Sequence, residues 1–402
     1  MKVQSKLRAA GPMVLASGLA LGGLGLTGSV GAAAGPHAGN PVITASSFNR
    51  TFSAMVSLKS LAAKGKGKIA AILPDTVTSA RYTEFDAPYL KESFEKAGLT
   101  TSQFIVQNAL GSDATELTDA QSDIANGATV LIMDPLDAGV GKSIETYAKA
   151  HGVPVVDYDR LTLGGSRKYY VSFNNVEVGT LIGNGFVSCV SSWKLKSPQV
   201  LVMRGAATDN NATLFAQGYN AVLAPYFSSG KYKLVGTPAG TWDPPTALTE
   251  FEQQYTAHKS LNSAVIPNDE NAAPIITHLK TLHIAAKTFP ITGQDATQVG
   301  LQNILTGYQC GTAYKPIYQE AQAAAAIAIY VRSSTTPPSA LVNGSSQDST
   351  AKVAVPSVLL TPEWVTTSNM NSTVIADQFV PAASLCAGSA LATLCKAAGI
   401  NP

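Results

Sequence analysis

Thr129-Val130-Leu131-Ile132-Met133, a helical stretch over Gly139–His151, and Val153-Pro154-Val155-Val156 running into Asp157-Tyr158-Asp159-Arg160 read as strand, helix, strand. The two outer runs are short and rich in β-branched residues, while the middle one is longer and carries helical spacing. Upstream, Lys68–Leu73 and Gln103–Gln107 read as strands, and Tyr82–Ala97 and Ala114–Asn126 as helices. The order is βαβαβαβ, the pattern of a parallel sheet wrapped by helices. A second series follows through Gln199–Met203, Ala212–Leu223, Tyr232–Val235, Pro245–His258, Ala264–Pro267, Asn271–Leu282 and Phe289–Thr292. The α/β pattern therefore occurs twice, predicting two doubly wound parallel-sheet lobes.

A chain of 402 residues has material for two such cores. It is 45% hydrophobic and 13% charged, with a formal net charge of +2. That composition argues against extensive disorder, and the neutrality argues against a nucleic-acid partner, which calls for a basic stripe. Lys2, Lys6 and Arg8 precede an apolar Gly/Ala-rich run, Met13–Ala34, that ends in small residues. Residues 1–34 thus read as a secretory signal peptide rather than a membrane span, because the run has few large apolar residues and no basic stop-transfer flank. Residues 35–65 read as an extended or poorly ordered lead-in. No Cys precedes Cys189, so an N-terminal lipid-modified Cys is excluded. In an exported chain Cys189, Cys310, Cys386 and Cys395 suggest two disulfides with three possible connectivities. If Cys386 and Cys395 close a local loop, Cys189 and Cys310 pair and share a domain. The Ala-rich stretch Gln319–Arg332 reads as a buried or half-buried helix.

Open α/β sheets bind ligands at the carboxyl ends of their strands. Those ends carry Pro74–Tyr82, Asp157–Arg160, Arg204–Asn211, Gly240–Asp243, Asn268–Asn271 and Gly293–Ala296. Planar Asp, Asn and Arg groups match adjacent hydroxyls of a sugar with paired hydrogen bonds. Aromatic faces suit its C–H faces, and Tyr82 and Trp242 are placed to sandwich one ring. Asp269 reads as a helix cap, which leaves Asn268 for the ligand. Asp243 before Pro244-Pro245 reads as a turn and helix start.

Ordered stretches now point to a family. They are Asp157-Tyr158-Asp159-Arg160-Leu161, Val171-Ser172-Phe173-Asn174-Asn175, Thr208-Asp209-Asn210-Asn211-Ala212, Asn268-Asp269, Gly293-Gln294-Asp295-Ala296, Tyr314-Lys315-Pro316-Ile317 and Leu359-Leu360-Thr361-Pro362. Across about residues 66–380 the chain resembles the periplasmic sugar-binding proteins of ABC importers, and within them the xylose-binding proteins. That resemblance implies a type I periplasmic-binding-protein fold, α/β with a three-strand hinge. It implies an N-terminal lobe of residues 66–172 plus 313–350, a C-terminal lobe of residues 173–312 plus 351–380, and a tail, residues 381–402. It also implies ligand contacts from Arg81, Tyr82, Asp159 and Arg160 on the first lobe, from Asp209, Asn211, Trp242, Asn268 and Asp295 on the second, and from Lys315 at a crossing. The loop before Arg81 is one residue longer than the xylose-binding pattern, and the tail after about Asp377 has no counterpart in it.

The five His, His37, His151, His258, His278 and His283, sit at none of these motifs and form no metal spacing. No G-x-S-x-G elbow or phosphate loop appears. A glycosidase pair drawn from Asp159, Asp209 and Asp295 is disfavoured, because nearby Arg and Lys hold such acids ionised. The expectation is a non-enzymatic, monomeric, cofactor-free exported protein that captures a monosaccharide, xylose or a similar aldose, and delivers it to a membrane ABC permease. A sugar-sensing subunit of a membrane receptor is the alternative. A cytosolic repressor would need a DNA-binding headpiece where this chain has its signal peptide.

Overall fold

The computed structural model describes residues 42–401; the expected signal peptide lies outside the described residues. Twelve strands are present among them: β1 (Lys68–Leu73), β2 (Phe104–Asn108), β3 (Ala128–Met133), β4 (Val155–Tyr158), β5 (Tyr169–Phe173), β6 (Gln199–Val202), β7 (Lys233–Gly236), β8 (Ser263–Val265), β9 (Thr312–Tyr314), β10 (Gly344–Asp348), β11 (Val353–Leu360) and β12 (Glu363–Val365). The first sheet has the order β10-β11-β5-β4-β3-β1-β2, parallel except for the β10–β11 hairpin. The second, parallel, has the order β7-β6-β8 and is extended by a bridge from Ala264 to Ile291. Each lobe is doubly wound, as the repeated pattern predicts.

The chain leaves the first sheet after β5, returns through β9 into the helix Ile317–Arg332, and leaves again after β11 into β12, which pairs antiparallel with β9. These are the three crossings. One element departs from the expected lobe boundary at 350/351. The strand β11 hydrogen-bonds β5 in the first sheet. Its turn, with Lys352 at φ 60°, folds β11 back on β10, so a boundary inside that hairpin separates two bonded strands.

The lead-in also differs from expectation. Residues Ser53–Ser57 and Lys59–Ala62 are helical, and Phe48, Phe52, Met55, Leu58 and Ala62 are buried. Their spacing of three and four residues is helical periodicity, set among small polar residues that mask it. Arg332, ending the Ala-rich helix, donates to the carbonyls of Ala62 (2.9 Å) and Gly67 (3.0 Å) and closes this segment onto the first lobe. The helix Ile317–Arg332 is buried along nearly its whole length, as expected.

Cys189 pairs with Cys310 and Cys386 with Cys395. The first links the helix Asn175–Ser192, which follows the first crossing, to the entry of β9. Trp364 of β12 lies against Gly185 of that helix and against Gly311, where a Cβ on either would collide with the indole. The tail holds the helices Ala382–Leu385 and Ser389–Ala397, which pack on the helix Gln298–Leu305 of the second lobe.

Glu116 is fully buried in the helix Asp113–Ala125 and accepts from the Leu136 N–H at 3.0 Å. Burial pushes its carboxyl up to about 8, against the opposing pull of that hydrogen bond and of Arg160. A raised acid stabilises the fold below its unfolded value and loses that contribution as pH rises through about 8. The variant Glu116→Gln keeps the acceptor and removes the titration. Its unfolding midpoint, followed by circular dichroism, is expected to match wild type near pH 4 and to exceed it at pH 9; identical pH profiles would contradict this.

Candidate functional site

Between the two sheets lies a narrow cleft, closed down to about 30 Å³. All ten residues expected at the site line it: Arg81, Tyr82, Asp159, Arg160, Asp209, Asn211, Trp242, Asn268, Asp295 and Lys315. Thr78, Ser79, Phe215 and Gln294 line it as well.

Arg81 opens a π-helical turn, Tyr82–Asp86. The i→i+5 spacing of such a turn sets Asp86 one turn away from Arg81. Arg81 Nε and Nη2 grip the two Asp86 oxygens at 2.9 and 2.8 Å. Its Nη1 donates to Asp159 Oδ1 at 2.8 Å, and Nη2 also reaches Glu320 Oε2 at 2.6 Å. Each of these groups is at least 94% buried. Burial pushes Glu320 up to about 8, only partly offset by Arg81. Burial alone would also raise Asp159, but Arg81, Lys315 and Arg160 outweigh it and hold that carboxyl below its ordinary value.

Arg160 is held from behind by the Leu136 carbonyl (3.1 Å) and lies 3.8 Å from Asp134. Its Nη2 donates to the Tyr82 hydroxyl at 3.0 Å, and its Nε stands 3.6 Å from Asp209 of the second lobe. Asp209 caps the helix Asn210–Ser228 through the Asn211 N–H (2.8 Å) and accepts from Trp242 Nε1 at 2.9 Å. Burial raises its carboxyl against Arg160. Lys315 stands 2.9 Å from Asp295, and its ammonium is raised because Asp295 and Asp159 outweigh the opposing effect of burial.

Two acids that line the cleft sit in left-handed backbone, Asp159 at φ 53° and Asp295 at φ 88°. Such conformations cost about 1–3 kcal/mol and persist only where the surroundings enforce them. The Asp159 carbonyl accepts from Tyr170 Oη (2.7 Å), Ser172 Oγ (2.9 Å) and Asn211 Nδ2 (2.9 Å). The first two donors belong to β5 and the third to the second lobe, so both lobes hold this turn.

Details differ from expectation at three points. Asn268, not Asp269, caps the helix Asp269–Thr281, accepting from the Asn271 N–H at 3.2 Å. Asp269 points inward to Gln309 Nε2 (2.7 Å), the Thr297 N–H (2.9 Å) and Thr312 Oγ1 (3.1 Å). The Tyr82 ring has the Arg81 and Arg160 guanidinium carbons 5.6 and 5.7 Å from its centroid, and the aromatic wall beside Trp242 is Phe215, edge-on at 6.3 Å. Asp243 does start a helix before two prolines. Among the described residues there is no cluster of three or more His, Cys, Asp or Glu able to hold a metal, and no helix is long and apolar enough to cross a membrane.

The arrangement presents unlike charges in neutralising pairs, which suits an uncharged ligand rich in hydroxyls, with donors and acceptors on both sides and an apolar wall at Trp242 and Phe215.

Residues 69–333 match the model of the periplasmic binding protein domain. The chain is 34% identical to the D-xylose-binding periplasmic protein of Escherichia coli over 71% of its own length and 84% of that protein. It is 28% identical to a multiple sugar-binding periplasmic protein of Azospirillum brasilense, covering 78% of this chain and 89% of that one. Among solved structures, a carbohydrate transporter solute-binding protein from Chloroflexus aurantiacus in complex with D-glucose superposes with TM-score 0.69 at 25% identity, covering 79% of this chain and 97% of that one.

The ion network makes a stability prediction. Replacing Arg81 with Met leaves buried acids uncompensated and is expected to cost about 3–5 kcal/mol in urea unfolding at pH 7. Glu320→Gln imitates a carboxyl that already holds its proton there and is expected to cost far less. Equal losses would contradict the assignment.

Proposed function

Because the chain belongs to the periplasmic binding protein family, we propose that it is an exported solute-binding protein that captures a monosaccharide, xylose or a similar aldose, between its lobes. Closure about the three crossings buries the sugar, and reopening against a membrane ABC permease releases it. The observation that carries the reading is the convergence of ten strand-end and crossing residues from both lobes on one cleft. Identity of 34% to a D-xylose-binding periplasmic protein supports an aldose, and the relatives being solute-binding proteins supports a non-enzymatic role. The expected lobe boundaries enter this reading with one change, β11 going with the first lobe.

Closure has a simple energetic basis. A ligand shifts the open–closed balance only by the difference in its affinity for the two states. Here the first lobe offers Asp159 and Arg160 while the second offers Asp209, Asn211 and Asp295, so an open cleft gives a sugar only half its partners.

Isothermal titration of the purified protein with D-xylose, D-glucose, D-ribose and L-arabinose tests this, with a saturable heat expected for at least one aldose. Silence with all four would overturn it. For the sugar that binds, Asp295→Asn removes a charged acceptor worth about 1.5–3 kcal/mol, so affinity is expected to fall at least about tenfold. Because Asp295 is also the buried partner of Lys315, the unfolding midpoint of the unliganded variant is expected to fall, and the titration is run well below it, where both proteins are folded.

A further inference from the structure

We propose that the cleft continues into a second subsite that takes the next ring of a neutral disaccharide or glycoside, so that this protein recognises a sugar with its substituent attached. The inference rests on the sugar-binding reading above and extends it. A neighbouring cavity of about 250 Å³ adjoins the cleft, and Arg81 and Asp295 line both. Glu270 bridges the boundary between them. Glu270 Oε1 accepts from Ser79 Oγ at 3.0 Å and from the Ala80 N–H at 3.4 Å. Ser79 faces the cleft, while Ala80 and Glu270 face the neighbouring cavity. A substituent leaving the bound ring passes between Arg81 and Asp295, which line both spaces, and displaces the hydrogen-bonded Glu270 carboxyl.

The walls have the two-sided chemistry of a pyranose, which is apolar on its C–H faces and polar around its rim. Glu84 comes from the first lobe and Thr297 and Gln298 from the second, while the tail supplies Val380 and Pro381. The Phe85 ring also borders the cavity, but stacking on Phe379 at 4.0 Å occupies one of its faces. This wall of the cavity is made by the stretch of chain that has no counterpart in the xylose-binding pattern. The tail is fixed on both sides of the cavity: by the Phe379–Phe85 stack on the first lobe, and by Gln302 Nε2 donating to the Leu385 carbonyl at 3.3 Å on the second. The Cys386–Cys395 disulfide closes the loop beyond it.

The test compares D-xylose and D-glucose with 1,4-β-xylobiose and cellobiose by isothermal titration, in wild type and in the exposed-wall variants Gln298→Trp and Glu84→Trp. Both positions are exposed, so the fold is expected to tolerate the indole, and an unfolding midpoint checks it. A disaccharide is expected to bind within about tenfold of its monosaccharide, and the variants to weaken it at least about tenfold while leaving the monosaccharide within about twofold. Monosaccharide binding with no disaccharide binding overturns the subsite and leaves the sugar-binding reading intact. Variants that change both ligands alike, or neither, also overturn it. Silence with all four sugars overturns the subsite, and overturns the sugar-binding reading too only if D-ribose and L-arabinose are also silent.

Discussion

A guanidinium removed from water is tolerable only beside opposite charge, because it does not give up its proton. Arg81 meets that constraint with the carboxylates of Asp86, on its own helical turn, and Asp159, at the end of β4, and donates as well to Glu320 in the central helix. Asp159 lines the cleft, and Asp86 and Glu320 hold the guanidinium from behind it. The central helix follows the crossing that carries Lys315, and Lys315 pairs with Asp295 of the second lobe. Charge balance therefore runs unbroken from the turn at Tyr82 to the far side of the hinge. Weakening it at Arg81 loosens the carboxylate that a sugar hydroxyl would meet.

The second constraint is conformational. Asp159 takes a left-handed backbone, and the three donors on its carbonyl offset the strain. One of them, Asn211, also accepts from Asn175 Nδ2 at 2.8 Å. The turn that aims Asp159 is thus complete only when the lobes meet, which couples the shape of the site to closure through the main chain as well as through ligand contacts.

Much of this was legible in the sequence because function in an open α/β sheet concentrates at strand ends, where polar residues interrupt apolar runs. Arg81, Asp159, Asp209 and Asp295 stand out for that reason. Phe215 and Glu320 do not, since both lie inside helices, where an aromatic or an acid looks like ordinary core or solvated face. Asn268 and Asp269 were exchanged as cap and interior acid because adjacent residues with similar capping strength cannot be ordered from composition. The helices at Ser53–Ser57 and Lys59–Ala62 were hidden by their shortness, and the place of β11 by a register that depends on its hairpin rather than on its own residues.

The Cys189–Cys310 bond and the Trp364 indole act on the three crossings together. Past the hinge, the helix Asn175–Ser192, the entry to β9 and β12 are cross-linked by one covalent bond and wedged by one ring packed on Gly185 and Gly311. On that side the crossings behave as a single base plate. Torque from a ligand drawing the lobes together would find no soft joint there in which to dissipate. In the proposed closure, rotation would be confined to the few residues between the base plate and the first sheet, 173–174, 314–316 and 360–362, and the second lobe would swing as one lever.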